Sequence, residues 1–223
     1  MSAFYALLYR DMKLAFRAGG GASLAMSFFA LVASLWAFGI GPDLVLLSRV
    51  AGGVVWVTAM LAALLSLDRL FQADYEDGSL DVLALSPLSL ELAATAKMTA
   101  HWLTTGLPLV VLSPVLALML QMPEAGYVPL VASLAIGTPA LSGIGAIGAA
   151  LTLSIRRGGL ILALIVLPLI APTLIFGASA VSEAIEGTGR DAIAFMLLGA
   201  FSVAVVGLSP FAAAAAVRLN LAN

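Results

Sequence analysis

Residues 125–155 read AGYVPLVASLAIGTPALSGIGAIGAALTLSI, 31 positions without one Asp, Glu, Lys or Arg. A helix rising about 1.5 Å per residue crosses the ~30 Å apolar core of a bilayer in roughly 20 residues. The stretch is therefore long enough to span, and it does not alternate apolar and polar as a barrel strand would. Charge is absent in the same way from 18–42, 50–67, 98–123, 158–182 and 192–217, with lengths of 25, 18, 26, 25 and 26. In lipid every backbone amide must be paired within the chain, so such runs become helices. The fold class predicted is an all-α polytopic membrane protein with six transmembrane helices.

Composition agrees. The 223 residues are 62% hydrophobic and 10% charged, against about 25% charged in soluble domains. Mean hydropathy is +1.13. These figures exclude a disordered chain, a basic nucleic-acid binder and an ordinary soluble enzyme. The chain has no cysteine, which excludes thiolate metal sites, iron–sulfur clusters and thiol nucleophiles.

Orientation follows from Lys and Arg. With the N-terminus inside, inner segments hold Arg10, Lys13, Arg17, Arg69, Lys97, Arg156, Arg157 and Arg218, whereas outer segments hold Arg49 and Arg190. The positive-inside rule places both termini in the cytoplasm. At the start of the chain, Phe4, Leu8, Met12, Ala15 and Phe16 share one helical face while Arg10, Lys13 and Arg17 share another. Residues 1–18 are expected to form an amphipathic interfacial helix. The apolar run after it is too long for a signal-peptide core and is read as an uncleaved anchor. The fourth run carries Pro129, Gly137 and Pro139, and the fifth carries Pro168 and Pro172; a kinked or broken helix is expected in the fourth and a bend in the fifth.

Motifs for self-contained chemistry are weak. Gly143, Gly145 and Gly148 match G-x-G-x-x-G, but the motif lies inside a charge-free run and the residue twenty beyond Gly148 is Pro168. A dinucleotide site needs a strand before the glycines and an acid ~20 residues after them. The glycines are read instead as helix-packing residues. No G-x-x-x-x-G-K-[ST] occurs, so ATP must be bound elsewhere. His101, beside Trp102, is expected at the cytoplasmic membrane interface, and Ser113 and Ser142 are read as packing residues. No Ser-His-Asp or paired-carboxylate constellation is visible within the apolar runs. The apolar runs hold no ionisable group besides His101, which weakens an ion-coupled pump because such pathways are marked by buried charge. Energy is expected to enter from a partner.

That directs attention to 68–97, which holds eight of the 22 charges. Gly78 is a turn point, Ser79 an N-cap and Asp81 a first-turn acid. Leu80, Leu83 and Leu88 form an apolar stripe, and Pro87 ends the short helix. A short amphipathic helix held under the membrane suits the groove of a soluble partner.

The pattern Glu76-x-Gly78-Ser79-Leu80-Asp81-x-Leu83-x-x-Ser86-Pro87-Leu88-Ser89-x-Glu91, followed by Lys97, resembles the coupling-helix region of type-2 ABC exporter permeases. A closer resemblance covers roughly 45–218. The runs Leu67 to Leu80, Lys97 to Leu109, Arg156-Arg157-Gly158-Gly159-Leu160 and Leu208-Ser209-Pro210-Phe211-Ala212 are similar to the haem exporter protein B (CcmB) family of cytochrome c maturation. The resemblance implies one transmembrane permease domain over 1–223, with 68–97 as the coupling loop. It implies docking of an ABC ATPase subunit through Asp74, Glu76, Asp77, Gly78, Ser79, Leu80, Asp81, Leu83 and Pro87, with the chain a non-catalytic homodimer in the bacterial inner membrane.

The further partners implied are a haem-handling membrane protein, a small accessory membrane subunit and a haem chaperone. ATP hydrolysis is linked to haem export or to release of the loaded chaperone. No cofactor is bound by this chain; ATP and haem sit on partner subunits. One histidine and no cysteine make a poor haem-ligand set. Two other classes stand beside this reading: a secondary transporter or channel, and a structural assembly subunit without its own transport path. An intramembrane enzyme would need a catalytic group that the chain does not display.

Overall fold

The computed structural model describes residues 3–16, 21–155 and 158–222. Among them are ten α-helices and no strand: α1 (Ala3–Ala15), α2 (Gly21–Ile40), α3 (Leu44–Leu67), α4 (Arg69–Glu76), α5 (Ser79–Ala84), α6 (Leu90–His101), α7 (Leu107–Met119), α8 (Tyr127–Leu151), α9 (Gly158–Glu186) and α10 (Asp191–Leu221). α3 runs into α4, and α6 runs into α7 through a π-helical turn at Trp102–Gly106. Six helical stretches are then long and apolar enough to cross a membrane. The chain is a multi-pass membrane protein of the class expected from its charge-free runs. Arg17, Arg156 and Arg157 from the inner basic set lie outside the described residues, as do the ends of the expected 1–18 helix.

Membrane helices cannot associate by expelling water, so close van der Waals packing and interhelical hydrogen bonds hold them together. α8 is the centre and packs against α3, α6, α7, α9 and α10. Its glycines lie at these contacts. A Cβ at Gly145 would sit 2.3 Å from the Leu67 side chain on α3, one at Gly148 2.3 Å from Val166 on α9, and one at Gly143 2.7 Å from Ser209 on α10. The Trp56 ring, fully buried, is admitted by Gly137 and Gly177, where a Cβ would fall 2.5 and 2.2 Å from it.

Side-chain hydrogen bonds then fix the register. Trp56 Nε1 donates to Ser133 Oγ (3.1 Å), Trp102 Nε1 to Thr138 Oγ1 (3.0 Å) and Ser202 Oγ to the Ile136 carbonyl (2.6 Å). α2, α9 and α10 leave most of their surface outward, with Leu31, Leu35 and Phe38 exposed on α2. That is the arrangement lipid demands.

Two expectations are sharpened here. Of the kinked and broken alternatives for the fourth run, the broken one falls: α8 continues through Pro139, and α9 through Pro168 and Pro172. Each proline removes one i→i−4 hydrogen bond, and neighbouring helices hold the rest of the ladder in place. His101 turns its ring into the helix bundle rather than outward. It is 5% exposed and bridges α3 and α8, with Nε2 2.8 Å from Ser66 Oγ and Nδ1 2.8 Å from Ser142 Oγ. Ser142 is thus a hydrogen-bonding partner rather than filler, whereas Ser113 donates to the Val110 carbonyl of its own helix. A lone polar ring inside an apolar bundle needs partners for both nitrogens, and two facing serines supply them.

Candidate functional site

The polar stretch between the second and third spans is mostly helix. α4 and α5 form a hairpin whose corner is Gly78, at φ +76°. Glycine takes this left-handed conformation without the Cβ penalty that other residues meet. Sequence reasoning placed the N-cap at Ser79, but Ser79 is the first helical residue. The corner lets the preceding carboxylate do the capping: Asp77 Oδ1 accepts from Ser79 N at 2.8 Å. Hydrogen bonding from Ser79, by its side chain first and its backbone N–H second, holds the exposed Asp77 carboxyl below the usual range. Ser86 closes the other end, donating to the Leu83 carbonyl (2.7 Å) and accepting from Leu88 N (3.2 Å). Ser89 caps α6 by accepting from Leu92 N (3.4 Å).

The expected docking residues divide into two groups. Glu76, Asp77, Asp81 and Pro87 are exposed, and Gly78 and Ser79 are half-buried at the corner. Asp74 and Leu80 are buried, at 6% and 1% exposure. The apolar stripe is turned inward as well. Leu80 joins the main core, Leu88 packs with Leu7, Ala93 and Ala96, and Leu83 lies half-buried against both clusters. A hairpin of two short helices cannot stand alone, so its apolar face goes to seating it on the spans. The apolar side chains it presents outward are Val82 and Leu85, at 70% and 89% exposure. Sequence reasoning missed both, although their i, i+3 spacing on the face opposite Leu80 was the available signal.

The buried Asp74 belongs to a second feature. Arg10 Nη2 on α1 donates to both its carboxylate oxygens at 2.8 Å, and Ser79 Oγ on α5 donates to Oδ1 at 2.9 Å. Lys97 of α6 is ion-paired to Asp74 as well. Lys97 Nζ also donates to Asp11 Oδ2 (2.9 Å) and to the Leu70 carbonyl (3.1 Å), and lies 5.6 Å from the centre of the Phe71 ring. Arg10 Nε completes the set by donating to Asp11 Oδ1 at 2.9 Å. Two cations and two carboxylates thus form a closed neutral quartet, the condition under which a lysine 2% exposed is tolerable. Burial works against the Arg10 charge, but Asp11 and Asp74 outweigh it and raise its pKa. Arg10 therefore turns into the protein instead of joining a solvated basic stripe, and Asp11, unremarked in the sequence, becomes a partner of Lys97.

A cavity of about 360 Å³ lies beside the quartet, between α1, α2, α3, α4 and α6. The quartet forms one side; Ser66, His101, Thr104 and Thr105 form another. Among the described residues the one buried side-chain polar atom without a partner is Thr173 Oγ1, which is not among those lining the cavity. Both ring nitrogens of His101 are taken by serines, so in this arrangement neither faces a haem iron or metal ion. Among the described residues no three His, Cys, Asp or Glu side chains converge as a metal site.

A family model described as CcmB protein matches residues 2–220. The chain belongs to the CcmB family. Heme exporter protein B of Paracoccus denitrificans is 56% identical over 97% of this chain and 99% of its own length. The protein of that name from Rhodobacter capsulatus is 52% identical over 97% and 99%. That from Escherichia coli K12 is 42% identical over 98% and 99%. The CcmB match thus reaches past residues 45–218, where the resemblance was legible, to take in α1 and α2. Asp74 and the two α1 members of the quartet, Arg10 and Asp11, fall within it.

Proposed function

We propose that the chain is the permease subunit of an ABC-type haem export complex acting in cytochrome c maturation. It forms one transmembrane domain over 1–223 in the bacterial inner membrane, with both termini cytoplasmic. A separate ATPase subunit binds and hydrolyses ATP. Haem is carried by partner subunits: a haem-handling membrane protein, with a small accessory membrane subunit, and a haem chaperone whose loaded form the ATP-driven step releases. Two copies of the chain pair to receive two ATPase subunits.

The observation carrying this reading is the α4–α5 hairpin. It is pinned to the spans by Leu80, Leu83 and Leu88 and turns Val82, Leu85, Asp81, Asp77, Glu76 and Pro87 outward. A rigid knob with an apolar tip and an acidic rim fits a groove in a soluble partner better than it fits water or lipid. The names of the relatives supply haem export.

The test is co-purification of the ATPase subunit with the chain from mild detergent. We expect Val82→Asp/Leu85→Asp to abolish capture of the ATPase while the chain still inserts and elutes as a single species. Capture at the parental level would overturn the docking role.

A second reading, a secondary transporter, draws on Asp74, Lys97 and His101 lining one cavity. Asp74 and Lys97 are neutralised within the quartet and His101 is bonded to Ser66 and Ser142, which suits a mechanical joint better than an ion pathway. Uptake by liposomes holding the chain alone would favour this alternative.

A further inference from the structure

The charge quartet connects three elements that the backbone leaves separate. Asp74 sits one turn before the Gly78 corner. It is gripped by Arg10 from α1, by Ser79 from the far side of that corner and by Lys97 from α6. Asp11 doubles the α1 connection through Lys97. α1 also packs its Leu7 against Leu88, Ala93 and Ala96, at the point where α5 hands over to α6.

Meanwhile α1 turns Tyr5 and Tyr9 outward, 58% and 68% exposed, as an element at the membrane surface would. Neutral buried ion pairs bring little net stability over a well-packed apolar equivalent, but they are directional and are broken at high cost. They suit a link that must hold a fixed geometry under load.

We infer that Asp74 is a positioning residue rather than a docking residue, and that through the quartet a displacement of the α4–α5 hairpin is delivered to α1 as well as to α6. α1 is then a driven lever of the permease. The inference rests on the proposed docking of an ATPase at the hairpin. It goes beyond that docking by naming the route the motion takes inside this chain.

The test cuts α1 out of the quartet while leaving Lys97 and Asp74 as a balanced pair. It uses Arg10→Gln/Asp11→Asn in the full complex. Spin labels at Tyr9→Cys on α1 and Gln72→Cys on α4 report whether the two elements move as one body, and the cysteine-free chain makes the labelling selective. In the parent the label distance should stay single and unchanged when ATP is added. In the double variant it should broaden. ATPase capture and ATP hydrolysis should stay within about twofold of the parent, while cytochrome c assembly falls about tenfold, the usual scale of a coupling effect. Arg10→Lys, which keeps a donor to Asp74, should restore at least half of the assembly.

Should the double variant aggregate, Arg10→Gln alone gives a graded form of the test: it removes the α1 bond to Asp74 and leaves the Asp11–Lys97 pair, so the label distance should broaden less and cytochrome c assembly fall to an intermediate level. Parental cytochrome c assembly in a variant whose label distance has broadened would overturn the inference. So would loss of ATPase capture in that variant, because the quartet would then belong to the docking surface. Failure of the parent chain itself to capture an ATPase would instead overturn the proposed function, and the inference with it.

Discussion

Lys97 shows how one side chain changes meaning with its surroundings. In the sequence it is a basic residue ending a polar stretch, counted toward orientation. In the structure its ammonium is buried against two carboxylates, a carbonyl and the Phe71 ring. Removing one member of a buried ion network leaves uncompensated charge, typically at a cost of about 3–5 kcal/mol. Lys97→Met should therefore lower the detergent melting temperature sharply. Lys97→Met/Asp11→Asn, which leaves Arg10 opposite Asp74, should regain much of that loss. Fluorescence-detected gel filtration after heating measures both, and a double variant no better than the single would remove charge balance as the cause.

At the scale of elements, the hairpin and the helix contacts depend on glycine for different reasons. Gly78 adopts φ +76° with nothing within 4 Å of the position a Cβ would take. Its constraint is backbone conformation alone. Gly78→Val strains the corner by about 1–2 kcal/mol or more and should shift α5 without disturbing the spans. We expect insertion and melting temperature close to the parent but reduced ATPase capture and cytochrome c assembly. Charge reversal at Glu76 and Asp77 should have the same profile, because both are exposed.

Gly145 is the opposite case, a helical glycine with Leu67 pressed against it. Gly145→Val should destabilise the α3–α8 contact by about 1–3 kcal/mol through overpacking. Leu67→Ala placed beside it should relieve part of the loss. A melting temperature unaffected by Gly145→Val would show that the two helices can separate freely at this point.

For the whole molecule, the testable quantity is sidedness. The absence of cysteine lets single introduced thiols be read without background. Cysteines replacing Asp81 on the hairpin and Asn220 near the C-terminus should resist a membrane-impermeant maleimide in intact spheroplasts and react after permeabilisation. One replacing Gln121, between α7 and α8, should react in both. The reverse pattern would invert the protein and put the hairpin beyond the reach of a cytoplasmic ATPase. The six spans were legible because they arise from a one-dimensional property, the length of charge-free runs; the sidedness expected from the placement of Lys and Arg is what the labelling tests.

The amino-acid order by itself determined the helical class, the number of spans, the corner at Gly78 and the family, each of which depends on residues near one another in the chain. Tertiary structure alone decided which face of the hairpin is offered and which is spent. Leu80, Leu83 and Leu88 make a regular stripe whether the stripe meets a partner or the protein's own core, and only the packing of α4 and α5 onto the spans distinguishes the two. The same holds for the quartet. Arg10 and Asp74 lie 64 residues apart and Lys97 and Asp11 lie 86 apart, so no local pattern pairs them. What selects those pairs is the cost of leaving a charge buried and unmatched, a cost that exists only once the helices have brought the charges out of water.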